Sequence, residues 1–327
     1  MNTFKSFTED LYPVNDKLFE EIALKQFHFQ ALTNKVYKNY LTYLGVSVKK
    51  IQRIEDIPFL PISFFKTQHI ISGRWEPELV FTSSGTTGQE VSRHSVQSLN
   101  FYLHHSQIIF ESYFGAIDQF HILCLLPSYL ERTGSSLVAM ANHFIKESKS
   151  PYSGFYLNDL DRLASQLERL KGDKKVLLLG VSFALMDLAD QYELDLNHCI
   201  VMETGGMKGR RKEVTREELH STICKNLNID KVHSEYGMTE LLSQAYSLGN
   251  GLFLCPSSIK IVLRELNDPF STENHTTGLI NVIDLANFHT CSFIETQDLG
   301  RLHQSGHFEV LGRMDNSDIR GCNLMVG

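Results

Sequence analysis

The segment Phe81-Thr82-Ser83-Ser84-Gly85-Thr86-Thr87-Gly88 is dense in glycine, serine and threonine, and it begins at the end of the apolar run Leu79-Val80-Phe81. A loop of this kind lets backbone N–H groups approach an anion closely, and its hydroxyls add further donors for phosphate oxygens. No Gly-Lys-Ser/Thr follows, so it is not a P-loop. A flexible surface loop has the same composition, and the segment alone does not separate the two readings. Two more polar, glycine-bearing segments lie downstream, Thr204-Gly205-Gly206 and Tyr236-Gly237-Met238-Thr239-Glu240.

The surrounding periodicities predict what holds these segments. Residues 17–46 carry apolar positions at helical spacing (Leu18, Phe19, Ile22, Leu24, Phe27, then Leu32, Val36, Tyr40, Tyr43), which predicts one or two amphipathic helices. Residues 57–65 form a Pro-punctuated apolar run that would tether them to the main body. A helix is expected from about Ser95. Asn158 or Asp159 caps a helix through Leu170, which Gly172 ends. Residues 176–181 are continuously apolar, the pattern of a buried strand. Ser182 is expected to cap a helix reaching about Tyr192. Residues 199–203 and 231–235 are strand candidates. Between them Thr215-Arg216-Glu217-Glu218 is a capping box opening a helix to about Asn226. This alternation predicts parallel strands joined by right-handed crossovers, with ligands bound beyond the strands' C-terminal ends. Both downstream glycine segments fall there. From about Leu252, short apolar runs (259–263, 279–283, 292–295, 307–311) alternate with turns such as Ser305-Gly306, which predicts a β-rich subdomain.

Composition narrows the classes. The 327 residues suffice for one large domain or two small ones, and 42% apolar with 21% charged residues is ordinary for a globular protein. A net charge of −7 argues against a nucleic-acid binder while leaving room for a locally positive nucleotide site. Residues 1–15 contain Glu9 and Asp10 and no long apolar run, so no signal peptide is expected; no run of 18 apolar residues predicts a membrane span. Cys124, Cys199, Cys224, Cys255, Cys291 and Cys322 are dispersed without a CxxC pair, so neither a zinc site nor a disulfide framework is indicated. A reducing cytoplasm is the expected location, and any of these thiols could be free.

Ser84-Gly85-Thr86-Thr87-Gly88 resembles the phosphate-binding signature of the adenylate-forming superfamily of acyl-CoA synthetases, luciferases and peptide-synthetase adenylation domains. Companion motifs follow in the superfamily's order. Thr204-Gly205-Gly206 resembles its adenine-contacting segment. Tyr236-Gly237-Met238-Thr239-Glu240 resembles its Tyr-Gly-x-Thr-Glu motif. There the resemblance implies that Tyr236 stacks on adenine, Thr239 touches the α-phosphate and Glu240 holds Mg²⁺. Thr296-Gln297-Asp298 resembles the Thr-Gly-Asp motif, implying that Asp298 grips the ribose hydroxyls. Gly312-Arg313-Met314-Asp315 resembles the Gly-Arg-x-Asp motif, implying Arg313 near ribose and phosphate and Asp315 at a hinge. The implied chemistry is attack of a carboxylate on the α-phosphate of ATP, a step that needs charge neutralisation more than proton transfer. One Glu is enough for Mg²⁺, which prefers one or two carboxylates plus phosphate oxygens. Ser83, Ser84, Gly85, Thr86, Thr87 and Gly88 would then cradle phosphate, with Thr86 acting in catalysis.

The sequence departs from the superfamily twice. Where a Pro-Lys pair is usual after the loop, it reads Gln89-Glu90-Val91. Lys208, Arg210 or Arg211 could supply the missing charge, or these three and Lys212 form a solvated surface run. The chain also stops just after the hinge motif, where most of the superfamily continues into a lid domain with a catalytic lysine. In its ending it resembles, as it does over nearly its whole length, the acyl-protein synthetases of bacterial bioluminescence, or long-chain-fatty-acid luciferin-component ligases. The run Pro58-Phe59-Leu60-Pro61-Ile62 with Phe64-Phe65-Lys66 is part of that likeness. The resemblance implies a fatty-acid substrate, a C-terminal cysteine (Cys322, in Arg320-Gly321-Cys322-Asn323) that takes the acyl group, and a reductase partner that receives it.

The expected fold is thus α/β, the adenylate-forming N-terminal-domain fold with parallel sheets and a β-rich C-terminal subdomain, without the usual lid. It is read as one acyl-protein synthetase domain over 1–327, α/β over 1–250 with the N-terminal helices and β-rich over 251–327. Several features stay open. Ser128 and Thr133-Gly134-Ser135-Ser136 line an acyl pocket, help the phosphate loop, or form a plain turn. His104-His105 are read as a surface or core pair rather than as ligands, and His233 either borders the site or packs in the core. Gly180-Val181-Ser182-Phe183-Ala184 nearly matches a nucleophile elbow, and Ser182 with Asp284 or Asp298 and His303 would follow a hydrolase order. A non-catalytic binding protein on the same fold is the third reading.

Overall fold

The computed structural model describes residues 3–12, 14–83, 90–127, 134–157, 159–172, 174–205, 214–266 and 276–314. They form two compact units. The first comprises Met1–Ser98, Glu240–Ser243 and Leu254–Gly327, the second Leu99–Thr239 and Gln244–Phe253.

The second unit contains the parallel sheet that the alternating pattern predicts. Its strands run in the order Gly154–Phe155, Phe120–Leu125, Lys175–Val181, Cys199–Thr204, His233–Tyr236, with Ala245–Ser247 added antiparallel. Phe120–Leu125, Lys175–Val181, Cys199–Thr204 and His233–Tyr236 pair in parallel. Leu177, Leu178 and Leu179 are buried, as a strand covered on both faces requires. The helices Leu160–Arg169, Ser182–Gln191 and Arg216–Leu227 connect them. Asp159 caps the first through a 3.0 Å bond from Arg162 N; Asn158, the other candidate cap, lies outside the described residues. Thr215 and Glu218 form the predicted capping box.

Two local expectations fail. Ser95 is not helical: it sits in the strand Arg93–Val96, and the helix starts later, as Leu99–Phe114. Ser182 is the first residue of its helix rather than its cap, because its hydroxyl is drawn to Glu203 Oε2 (2.8 Å) and Gly205 O (3.0 Å) instead of to the helix N–H groups.

The first unit joins the N-terminal residues 1–98 to the segment after Leu254, and that later segment forms strands, as the pattern after Leu252 predicts. Ile259–Arg264, Thr277–Asp284, Phe293–Leu302 and Phe308–Arg313 pair antiparallel in sequence order, and Leu60–Pro61 adds parallel to Phe293–Leu302. A separate hairpin, Leu79–Thr82 with Arg93–Val96, brackets the Ser/Thr/Gly loop. The predicted N-terminal helices are Asp16–Thr33 and Lys35–Tyr43. Their packing differs from the apolar reading. Leu32 and Tyr43 are 68% and 89% exposed, whereas Gln26, Gln30 and Asn34 are fully buried. Gln26 and Gln30 lie four residues apart on one helical face, and Asn34 follows four residues later as the extended C-cap. Gln26 donates to Leu285 O at 2.9 Å, Gln30 accepts from Ser292 N at 2.9 Å, and Asn34 donates to Thr290 O at 2.9 Å. They thereby satisfy the irregular backbone of 285–292, which has no ladder of its own. Beside them Phe27, Tyr37 and Phe59 pack around Phe293, with Tyr37 stacked at 6.2 Å and 16°.

Candidate functional site

Two groups of predicted site residues are described, one in each unit. In the first unit the hairpin that brackets the Ser/Thr/Gly segment is closed at its base. Ser83 N donates to Ser92 O at 3.1 Å, and Ser92 N donates to Ser83 Oγ at 2.9 Å. The Ser92 side chain is buried and is hydrogen-bonded to the Glu240 carboxyl. Glu240 is itself buried. Burial pushes its carboxyl above the usual range, against the pull of Ser92, its own backbone N–H, and the charges of Arg313 and Lys66. Its carbonyl accepts from Asn287 Nδ2 at 2.8 Å. Just beyond, Leu242 N and Ser243 N both donate to Asp284.

Asp298 pairs across the ladder with Arg313. Its N–H donates to Thr296 Oγ1 at 3.1 Å, and Thr296 Oγ1 donates to Ile280 O at 2.7 Å, so Thr296 fixes the backbone under the half-buried Asp298. Gln297 stands where the superfamily motif has glycine, and its Oε1 accepts from Arg313 Nη2 at 3.2 Å. The structure therefore gathers Ser83, Glu240, Asp298 and Arg313 in one unit, and adds Ser92 and Lys66. Sequence reasoning missed both. Ser92 belongs to no motif. Lys66 enters the sequence likeness only as the end of an apolar run, although it is a cation in a chain missing the usual loop lysine.

In the second unit Thr204-Gly205 and Tyr236-Gly237 end adjacent parallel strands, paired Thr204 to Glu235. Both segments thus lie at the strands' C-terminal ends, as expected for a doubly wound sheet. Gly205 has φ +70°, a conformation costly for residues with a Cβ. The Tyr236 ring is half-buried and meets Phe253 edge-on at 5.9 Å, while the Arg216 guanidinium lies over Phe253 at 5.3 Å. Thr239 is half-buried. Ser84, Gly85, Thr86, Thr87, Gly88, Gly206, Asp315 and Cys322 lie outside the described residues, as do Lys208, Arg210, Arg211, Lys212, Ser128 and Thr133.

The hydrolase arrangement finds no support. Ser182 Oγ donates to a carboxylate, Glu203 Oε2, not to an imidazole. Asp284 is occupied by backbone and hydroxyl donors of the 242–243 turn, and His303 faces Glu309 at 3.2 Å. Ser182 is a buried support for Glu203.

Mg²⁺ fits Glu240 on one observation. A buried carboxyl whose ionised form is disfavoured by burial is restored by a hard cation. Among the described residues no three His, Cys, Asp or Glu side chains form a metal cage, and no helix is long and apolar enough to cross a membrane.

No protein-family model matches the chain, and no curated protein matches it. Solved structures do. A 2-hydroxyisobutyryl-CoA ligase in complex with 2-HIB-AMP and CoA superposes with a TM-score of 0.66 at 15% identity, covering 96% of this chain and 74% of that one. An ATP-bound RpMatB-BxBclM chimera gives 0.55 at 16% identity, covering 74% of this chain and 49% of that one. ATP-bound MatB from Rhodopseudomonas palustris gives 0.52 at 16% identity, over 72% and 47%. The chain spans about half the length of the last two. At these identities the likeness establishes the fold: α/β, of the kind found in adenylate-forming ligases.

Proposed function

We propose that this chain activates a carboxylic acid, of the fatty-acid class, by forming an acyl-adenylate from ATP, and then passes the acyl group to a thiol. The observation that carries the reading is the surroundings of Glu240. Ser92 from the hairpin bearing the phosphate loop, Arg313 from the Gly-Arg-x-Asp motif and Lys66 all act on one buried carboxyl. Three separate stretches of sequence thus converge on the residue that the resemblance assigns to Mg²⁺.

The chemistry follows from charge. The acid's carboxylate oxygen attacks the α-phosphorus, the bond to the β-phosphate oxygen breaks, and pyrophosphate leaves with that electron pair. Bound Mg²⁺, held by Glu240, would supply neutralisation for the phosphate oxygens. Arg313 and Lys66 would add fixed positive charge beside Glu240 in a chain whose loop sequence has no lysine, and Ser92 would orient the Glu240 carboxyl. Asp298 would hold ribose hydroxyls, and Tyr236 with Thr204-Gly205-Gly206 the adenine. A thiolate then attacks the acyl carbon, AMP leaves, and the thiol proton goes to solvent.

The acceptor we propose is Cys322, with a reductase thiol downstream. The five described cysteines are poor candidates. Burial pushes the thiols of Cys199, Cys255 and Cys291 up to about 12, and those of Cys124 and Cys224 also upward, so none is a ready thiolate at neutral pH. Pyrophosphate exchange into ATP with a panel of acids tests adenylation, and intact mass after incubation tests the acceptor. Glu240→Gln should abolish exchange. Cys322→Ser should keep exchange and lose the hydroxylamine-labile mass increase. A stable thioester on Cys322→Ser would remove the acceptor assignment, and no exchange with any acid would leave a non-catalytic binding protein.

A further inference from the structure

Two buried acids stand side by side at the C-terminal ends of Cys199–Thr204 and His233–Tyr236, and their surroundings differ. Glu203 has cations: Arg216 Nε lies at 3.7 Å and His220 Nε2 at 3.6 Å from its Oε1, and Ser182 donates to its Oε2. Burial pushes Glu203 upward, but His220, Arg216 and Ser182 outweigh it and hold the carboxyl below the usual range. The groups that face Glu235 are Thr204 and Glu203 on the neighbouring strand, Tyr102 on the helix Leu99–Phe114, and Tyr246 on the strand Ala245–Ser247. None of these is a cation.

The two oxygens of Glu235 have different tasks. Oε2 accepts from Thr204 Oγ1 across the parallel pair. Oε1 lies 2.3 Å from the point where a Cβ on Gly237 would stand. The carboxyl therefore fills the space under the Tyr236-Gly237 turn and reaches the last residue of the adjoining strand. A methyl group at 237 would force that carboxyl to move, and the backbone angles there do not themselves call for glycine. Residue 235 has no place in any motif read from the sequence.

We propose that Glu235 is a positioning residue for the nucleotide: its carboxyl sets the spacing between Thr204-Gly205 and Tyr236-Gly237, the two segments assigned above to adenine. This rests on the adenylation reading. The carboxyl acts through those segments and touches no reacting atom. Burial, countered by Thr204 and reinforced by Glu203, pushes Glu235 up to about 7. Its proton is therefore exchanged near neutral pH, and the ionised form places a second negative charge beside Glu203.

The test is steady-state pyrophosphate exchange with the full chain, reading the KM for ATP and for the acid separately. Glu235→Ala should raise the KM for ATP about tenfold, the upper end for one lost buried hydrogen bond between neutral groups, with the KM for the acid within about twofold. Gly237→Ala should raise it by a similar factor. In the double variant the two penalties should fail to multiply, because the oxygen that a methyl group at position 237 would strike is gone. Glu235→Gln keeps the shape and the bond from Thr204. It should retain the KM for ATP at pH 6 and flatten the rise in KM that the unmodified chain shows through pH 7, with ATP's own ionisation common to both. The proposal is overturned if Glu235→Ala leaves the KM for ATP unchanged, if the two penalties multiply, or if the pH profiles coincide. Exchange by the unmodified chain with any such result removes only this proposal. Absence of exchange removes the adenylation reading, and this one with it.

Discussion

The carboxylate of Asp284 accepts the Ser243 hydroxyl at 2.7 Å, and Ser243 follows Glu240 by three residues. Leu242 N and Ser243 N donate to the same carboxylate at 2.9 and 3.0 Å, and Ala286 N at 3.0 Å. Asp284 is fully buried; burial raises its carboxyl, and these four bonds oppose the rise. It therefore anchors the turn that presents Glu240. Asp284→Ala would strand those donors in the interior, where each unsatisfied group costs about 1–3 kcal/mol. The expected loss is above about 3 kcal/mol by urea unfolding, with Asp284→Asn intermediate. In the Asn variant the KM for Mg-ATP should rise more than that for the acid, because only Glu240's approach is disturbed.

Ser92 offers a milder intervention at the same place. Its hydroxyl serves Glu240, while its backbone pairing with Ser83 is independent of the side chain. Ser92→Ala should reduce kcat/KM for Mg-ATP by about tenfold or more, as hydrogen bonds to charged groups are worth about 1.5–3 kcal/mol. Unfolding free energy should change by less than about 1 kcal/mol if the role is orientation of Glu240. Equal losses in stability and activity would make Ser92 a packing residue instead.

The parts legible in the sequence were those set by local rules. The apolar run 176–181, the capping box at Thr215 and Glu218, and the shift to short β runs after Leu252 all have their cause within a few residues. The missed parts depend on partners distant in the chain. Ser182 reads as a cap until Glu203 claims its hydroxyl, and Glu235 reads as an ordinary strand acid until Thr204 and Gly237 close around it. Glu240 stands in a motif, whereas Ser92 and Lys66 come to its carboxyl only through the fold.

The helix Asp16–Thr33 makes the same point and yields a third prediction. Its buried stripe includes glutamines because the opposing segment 285–292 exposes carbonyls and N–H groups that need partners. Gln30 alone brings its two Nε2 hydrogens within reach of Asn287 O, Phe288 O and Ser292 Oγ, and its Oε1 accepts from Ser292 N. Gln30→Leu conserves volume and adds apolar surface, so a purely hydrophobic account predicts a gain in stability. The bonding account predicts a loss of about 2–4 kcal/mol, since several buried backbone groups lose their partners together. Urea denaturation of this one variant separates the two.

Histidine and glutamate burial act in opposite directions on pH stability, which gives the last prediction. Burial, with His104 nearby, lowers His105 to about 3, and burial lowers His233 and His289 to about 4. For these groups the folded value lies below the unfolded value of about 6.5, so their contribution is complete above that pH and is lost as pH falls toward the folded values. Glu235 has the reverse sign. Its folded value of about 7 lies above the unfolded one, so its contribution is complete at low pH and is lost as pH rises through 7. Unfolding free energy should therefore pass through a shallow optimum instead of rising steadily with pH. Between pH 7.5 and 5.5 a buried, neutral His105 costs about 1.4 kcal/mol, because one proton must be excluded over roughly one pH unit. His105→Gln should remove that part of the acid loss. Glu235→Gln should steepen it, since the compensating gain from protonating Glu235 is gone. Urea titrations of the three proteins at both pH values, fitted with a common m-value, give the two slopes directly. If both variants shift the acid loss in the same direction, the sign assigned to Glu235 is wrong.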